Sequence, residues 1–147
     1  NNKVYYRKLI QRFEKVVNFD LDRVIFIDQL TTENYINHLG TSSVLLDPLY
    51  FGAGNSFHES MVYGTPTITM PTKYIKSRIV TAAYIQMEID NPPIVKNKNE
   101  YVDLAVSIAN SKNLLEIKNY YHTKAKEKLF NTLKAGEEFN DVLLSLK

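Results

Sequence analysis

The residues most able to do chemistry here are two closely spaced glycines in the stretch Tyr50-Phe51-Gly52-Ala53-Gly54-Asn55-Ser56. Glycine lets the backbone come close to a ligand. A helix that opens directly after such a loop offers unpaired N–H groups and a partial positive charge, which together favour a phosphate. The loop follows an apolar run ending in Asp47, and a carboxylate, Glu59, falls one turn into the next helix. The spacing is not the dinucleotide fingerprint G-x-G-x-x-G, because its third glycine would fall at Phe57 and no acidic partner follows. Nor is it a Walker loop, since no Gly-Lys-Ser/Thr follows. Two uses compete for Glu59. Ser56 and Glu59 have the S-x-x-E spacing of a capping box, in which each side chain satisfies a backbone N–H. The same carboxylate could accept hydrogen bonds from ribose hydroxyls. The glycines, likewise, could serve a ligand or only a turn.

Other chemistries find less support. His38, His58 and His122 are scattered without ligand spacing, so no metal and no cofactor is expected, and His58 alone stands near the glycine loop. Arg78 suits a diphosphate, an acceptor or a structural ion pair. The absence of cysteine removes disulfides, thiolate metal sites and thiol nucleophiles. A net charge of +2 from 18 basic and 16 acidic residues, spread along 147 residues, leaves no stripe for nucleic acid. The lysines between 124 and 134 read as the solvated face of an amphipathic helix. No apolar run approaches the roughly 20 residues that cross a bilayer, and no signal peptide opens the chain. The expectation is a cytoplasmic piece of a longer protein.

The elements that must position the loop follow from periodicity. Tyr6, Leu9, Ile10, Phe13, Val16 and Val17 predict a helix over 3–18. Val24-Ile25-Phe26-Ile27 reads as a strand buried on both faces. Thr31 or Thr32 caps a helix that Gly40 ends. Val44-Leu45-Leu46-Asp47 is a second buried strand, residues 56–63 a helix stopped by Gly64, and Thr67-Ile68-Thr69-Met70 a third strand. A helix over 73–88 and a very short strand at Ile94-Val95 come next, and the pattern is helical from 99 onward. Short apolar strands alternating with helices predict an α/β fold, with a Rossmann-like parallel sheet of about three to four strands. The chain divides on this reading into a leading helix (1–22), a βα core (23–96) and C-terminal helices (97–147), all in one domain.

Several stretches read together say more than any single motif. These are Arg23-Val24-Ile25-Phe26, Val44-Leu45-Leu46-Asp47-Pro48-Leu49-Tyr50, the glycine loop, His58-Glu59-Ser60-Met61-Val62-Tyr63-Gly64-Thr65-Pro66, and Thr69-Met70-Pro71. With Ser77-Arg78-Ile79-Val80 and Asn99-Glu100-Tyr101-Val102-Asp103-Leu104-Ala105 downstream, they resemble the C-terminal lobe of the O-linked N-acetylglucosamine transferase and SPINDLY-related glycosyltransferases. The Glu-containing helix ending in Gly-Thr-Pro recurs across two-lobed (GT-B) glycosyltransferases in general.

The resemblance implies a partial nucleotide-sugar-binding lobe of an inverting transferase that moves N-acetylglucosamine, or another hexose, from a UDP-sugar to protein hydroxyl groups. It puts uracil against Gln29 and Leu30, a stacking ring at Tyr35, the diphosphate at Gly54, Asn55 and Ser56, and the ribose hydroxyls on Glu59. Thr32 stands where human-type enzymes carry a basic residue, Gly54 replaces a histidine, and Asn55-Ser56 replace two threonines. The donor sugar therefore stays open. The family's leaving-group lysine belongs to strands earlier than any here, so the expectation is no catalytic residue in this chain and no transfer by it alone. Those strands would lie between 24–27 and 44–47, so their loss is expected to expose strand edges that invite self-association. The partners implied are a UDP-sugar and a protein or peptide acceptor, with no nucleic acid and no membrane. Two rival readings are a UDP-sugar epimerase lobe and a degenerate lobe kept for protein interaction.

Overall fold

The computed structural model describes residues 3–16, 20–130 and 133–146. It divides into two compact units, 1–31 and 32–147.

The first unit holds helix α1, Lys3–Phe13. The expected helix continued to 18, and its last two positions lie outside the described residues. Within the unit, the Tyr6 ring meets Phe26 edge-on with centroids 4.4 Å apart. Residues 24–27 form no strand, contrary to the expectation from sequence, and Ile25 is 82% exposed. The cause is a missing neighbour. A strand exists through the N–H and C=O groups of a chain beside it, and no described strand pairs with 24–27. Apolar β-branched composition supplies the propensity but not the ladder.

The second unit carries the sheet. Helix α2 spans Thr32–Thr41, one residue past Gly40, and leads to strand β1, Leu45–Leu46. Helix α3, Gly54–Met61, separates it from strand β2, Thr67–Ile68. The strands run parallel, with Leu45 opposite Thr67 and Leu46 opposite Ile68. Beyond them the ladder is a single parallel bridge, Thr69 to Ile94. The sheet thus has two strands among the described residues, where three to four were expected.

A side chain accounts for part of the difference. The hydroxyl of Tyr84 accepts the Thr67 N–H (2.7 Å) and donates to the Thr67 C=O (2.9 Å). It occupies the backbone groups a further strand would have used, so pairing with 93–95 resumes only at Thr69. Both Tyr84 and Thr67 are fully buried, where such groups must find partners.

Helix α4, Ile79–Gln86, is half the length expected. The stretch before it is a loop with a 3₁₀ turn at Ile75–Ser77, because Ser77 is buried and its hydroxyl binds the loop. Its Oγ donates to the Tyr74 C=O (2.9 Å) and accepts the Thr72 N–H (3.0 Å). Helices α5 (Lys98–Ala109), α6 (Leu114–Lys124) and α7 (Leu133–Ser145) complete the unit, with a π-turn at Ala125–Leu129 after α6. Asn97 caps α5 by accepting the Glu100 N–H at 3.0 Å.

One core joins Phe57 and Met61 of α3 to Val80 and Tyr84 of α4 and Tyr121 of α6. A second joins Ile68 to Val95 and Ala105. Helix α3 is held at its far end by Gly64, whose φ of +67° is left-handed. The Thr65 N–H reaches the Ser60 C=O (3.0 Å) and the Gly64 N–H reaches the Met61 C=O (3.1 Å), the two bonds of a Schellman stop. A Cβ there would lie within clashing distance of Lys118 O, so the position admits glycine alone.

Candidate functional site

Strand β1 delivers the site through Asp47, which is 3% exposed. Its N–H extends the ladder to Ile68 O (3.0 Å), and its carboxylate then spans the glycine loop. Oδ1 accepts the Ala53 N–H (2.6 Å) and Oδ2 accepts the Thr69 hydroxyl (2.5 Å). A buried carboxylate is tolerable only with such donors. The Asp47 C=O accepts the Tyr101 hydroxyl at 2.8 Å. Burial, and secondarily the charge of Asp47, push the Tyr101 phenol up to about 12, so it stays a donor at neutral pH.

The loop's two glycines do different work. The Gly52 N–H donates to Lys76 O at 2.8 Å, and a Cβ on Gly52 would sit 2.9 Å from that oxygen. This glycine permits close approach of the protein's own chain, which is the turn use of the two uses the sequence leaves open. Around Gly54 the space is open, since a Cβ would meet only Ile79 Cδ1 at 3.8 Å.

Helix α3 begins at Gly54, two residues before the predicted start, with Ala53 at the N-cap and no side-chain cap. The capping box of Ser56 and Glu59 is therefore not formed. Ser56 already lies inside the first turn, and its Oγ accepts the Tyr35 hydroxyl at 2.9 Å. Phe57 is the first residue whose N–H closes onto the loop, at Ala53 O (3.1 Å), while Gly54 donates back to Gly52 O (3.0 Å). The N–H groups of Asn55 and Ser56 have no acceptor among the described residues. A helix leaves such donors over at its start.

Asn55 and Ser56 line a cavity of about 650 Å³ together with Tyr35, Gly54, Pro48 and Phe51. Of the sequence-predicted site residues, the structure thus brings together Tyr35, Gly54, Asn55 and Ser56. Glu59, one turn on, is half-buried and outside the lining, and its carboxylate has no partner among the described residues. Gln29 and Leu30 belong to the first unit, the former exposed and the latter half-buried. His58 Nδ1 lies 2.9 Å from Gly54 O and is likewise outside the lining. Sequence reasoning had passed over Asp47 as a tie and Ile79 as a wall. The signal for the first was an acidic residue at the end of an otherwise apolar strand.

Among the described residues no three His, Cys, Asp or Glu side chains gather into a metal site, and no helix is long and apolar enough to cross a membrane.

A parallel strand pair, a glycine turn and a helix start with unpartnered amides define an α/β lobe. The model of glycosyl transferase family 41 matches residues 6–139, and the chain belongs to that family, which includes the O-linked N-acetylglucosamine transferase and SPINDLY. It is a glycosyltransferase domain. No curated protein matches the chain.

Proposed function

We propose that this domain binds the donor of the transfer reaction, a UDP-sugar, with its diphosphate at the first turn of α3. The observation that supports this most is the pair of unpartnered N–H groups on Asn55 and Ser56 beside an open cavity. A diphosphate brings negative charge to a helix end that favours it. The Ser56 hydroxyl accepts its bond from Tyr35, which leaves its own proton to donate to a phosphate oxygen. Tyr35 supplies the ring for the base and Glu59 takes the ribose hydroxyls, as the family resemblance implies. The sugar is N-acetylglucosamine or another hexose, and the acceptor is a protein hydroxyl. Helix amides replace a metal ion in holding the diphosphate, so a chelator leaves binding unchanged.

Calorimetry with UDP tests the reading. The chain binds UDP, and Glu59→Ala weakens it about tenfold through loss of charge-accepted hydrogen bonds. Gly54→Ala is the sharper variant, because the fold has room for the methyl group while a diphosphate against the backbone would not. No binding of UDP by the unaltered chain, or UDP affinity unchanged from wild type in both variants, refutes the assignment.

A further inference from the structure

Arg78 has no ion pair, the plainest use open to it: its Nε donates to Thr72 O at 2.7 Å, and no carboxylate meets it among the described residues. Lys73 and Lys76, on the same loop, also meet no carboxylate among the described residues, and no Asp or Glu occurs anywhere from Ser60 to Met87. The Lys73 ammonium lies 5.3 Å from the Tyr74 ring centre. Ser77 fastens the loop from within, and Lys76 O holds it to the glycine turn. Its cations are therefore mounted on a fixed rim.

Beneath the rim runs a groove. Ile79 is shared between the donor cavity and a cleft of about 350 Å³ whose walls include Ile75, Arg78 and Ala82. Arg78 and Ala82 are in turn shared with a cleft of about 590 Å³ that continues to Thr81 and Ile85. Three clefts thus adjoin along α4, with an apolar floor and a basic rim. Ile75 is 86% exposed, a large apolar side chain left uncovered beside unpaired charge.

We propose that this groove seats the acceptor polypeptide as an extended segment, with an Asp or Glu of the acceptor on Arg78 and apolar side chains on Ile75 and Ile79. The inference rests on the donor assignment, since the groove leads out of that cavity. The eight residues of α4 rise about 12 Å, which an extended chain covers in about four residues. Arg78 directly precedes Ile79, the wall shared with the donor cavity, so the acidic residue lies within that span, at most about four positions from the modified hydroxyl. Arg forms paired hydrogen bonds with a carboxylate, which sets register as well as affinity. A nucleic acid is the poorer fit, because its affinity needs a longer run of cations and the floor here is aliphatic.

The test is fluorescence anisotropy with two labelled serine peptides, one with glutamates on either side of the serine and one with glutamines there. UDP calorimetry is run on the same samples. The glutamate peptide binds about tenfold tighter, Arg78→Gln abolishes that difference, and UDP binding by Arg78→Gln is unchanged. Ile75→Ser, at an exposed position, weakens both peptides alike and provides the check should Arg78→Gln fail to fold. A glutamate preference that survives Arg78→Gln, or binding untouched by Ile75→Ser, overturns the groove. So does loss of UDP binding in Arg78→Gln, which would move that residue to the donor site, or displacement of the peptide by single-stranded RNA at equal concentration. If the unaltered chain binds no UDP yet keeps the glutamate preference, the donor assignment falls and the groove stands.

Discussion

Asp47 shows how much of the site depends on one side chain outside the cavity's lining. Its two carboxylate oxygens hold Ala53 at the mouth of α3 and Thr69 at the end of β2, so the glycine turn is fixed from both directions. Asp47→Ala leaves a part-buried N–H and a buried hydroxyl without acceptors. That variant loses about 2–3 kcal/mol by urea denaturation, and its UDP affinity falls with it. Asp47→Asn keeps one acceptor and one donor, so it loses less; equal stability of Asp47→Ala and wild type contradicts this account. At this scale the sequence located the glycine turn and the helix it opens, and was a poor guide to the partner each side chain takes. Gly54, Asn55 and Ser56 were legible because glycines before a helix change the backbone itself. The hydroxyl pairing of Tyr35 with Ser56, 21 residues apart in the chain, depends on how two helices pack, which spacing does not encode.

At the scale of elements, local pattern gave β1, β2 and the helices around them, and failed where tertiary partners decide. Residues 24–27 have strand composition and no ladder, while the predicted first half of α4 yields to the hydroxyl of Ser77. Neither outcome can be read from hydrophobic period. Helix α3 was placed two residues late because Ser56 has a capping residue's identity, whereas the helix starts at the more permissive Gly54. The clearest substitution of one element by another is Tyr84, whose hydroxyl serves both backbone groups of Thr67. Tyr84→Phe preserves the ring packing against Phe57 and removes only those bonds. The expected loss is about 2–4 kcal/mol in thermal or urea unfolding, because two buried groups are left unpaired. A loss below about 0.5 kcal/mol, the range of surface substitutions, shows that water replaces the hydroxyl.

For the whole molecule, the buried phenols set the behaviour in base. Burial first, and the neighbouring Tyr121 second, hold Tyr84 well above the usual tyrosine range. Burial raises Tyr121 too, with Tyr120 adding to it, and Tyr101 is pushed to about 12. A folded pKa above the unfolded value of about 10 means stability that is complete below pH 10 and lost as pH rises towards the folded value. Phenolate absorbance and far-ultraviolet helix signal should therefore change together above about pH 10 for these tyrosines. Ten tyrosines titrating near pH 10 with the helices intact rules this out. Membership of glycosyl transferase family 41 was legible because it rests on contiguous motifs. The extent of the sheet was not, because it depends on which chain lies beside which.

Sealing one flank of a sheet with a phenol has a corollary for solubility. A backbone edge is a template on which any passing strand can lengthen a sheet, and that is how many aggregates begin. On the β2 side the template is blocked at Thr67, since its donor and acceptor are already taken by a group that cannot propagate the pattern. At the level of Thr67, growth by strand addition is thereby left to the opposite flank, along β1, where Leu46 is half exposed. A polar residue there would keep preparations of this domain more dispersed, at a position that also walls the proposed donor cavity.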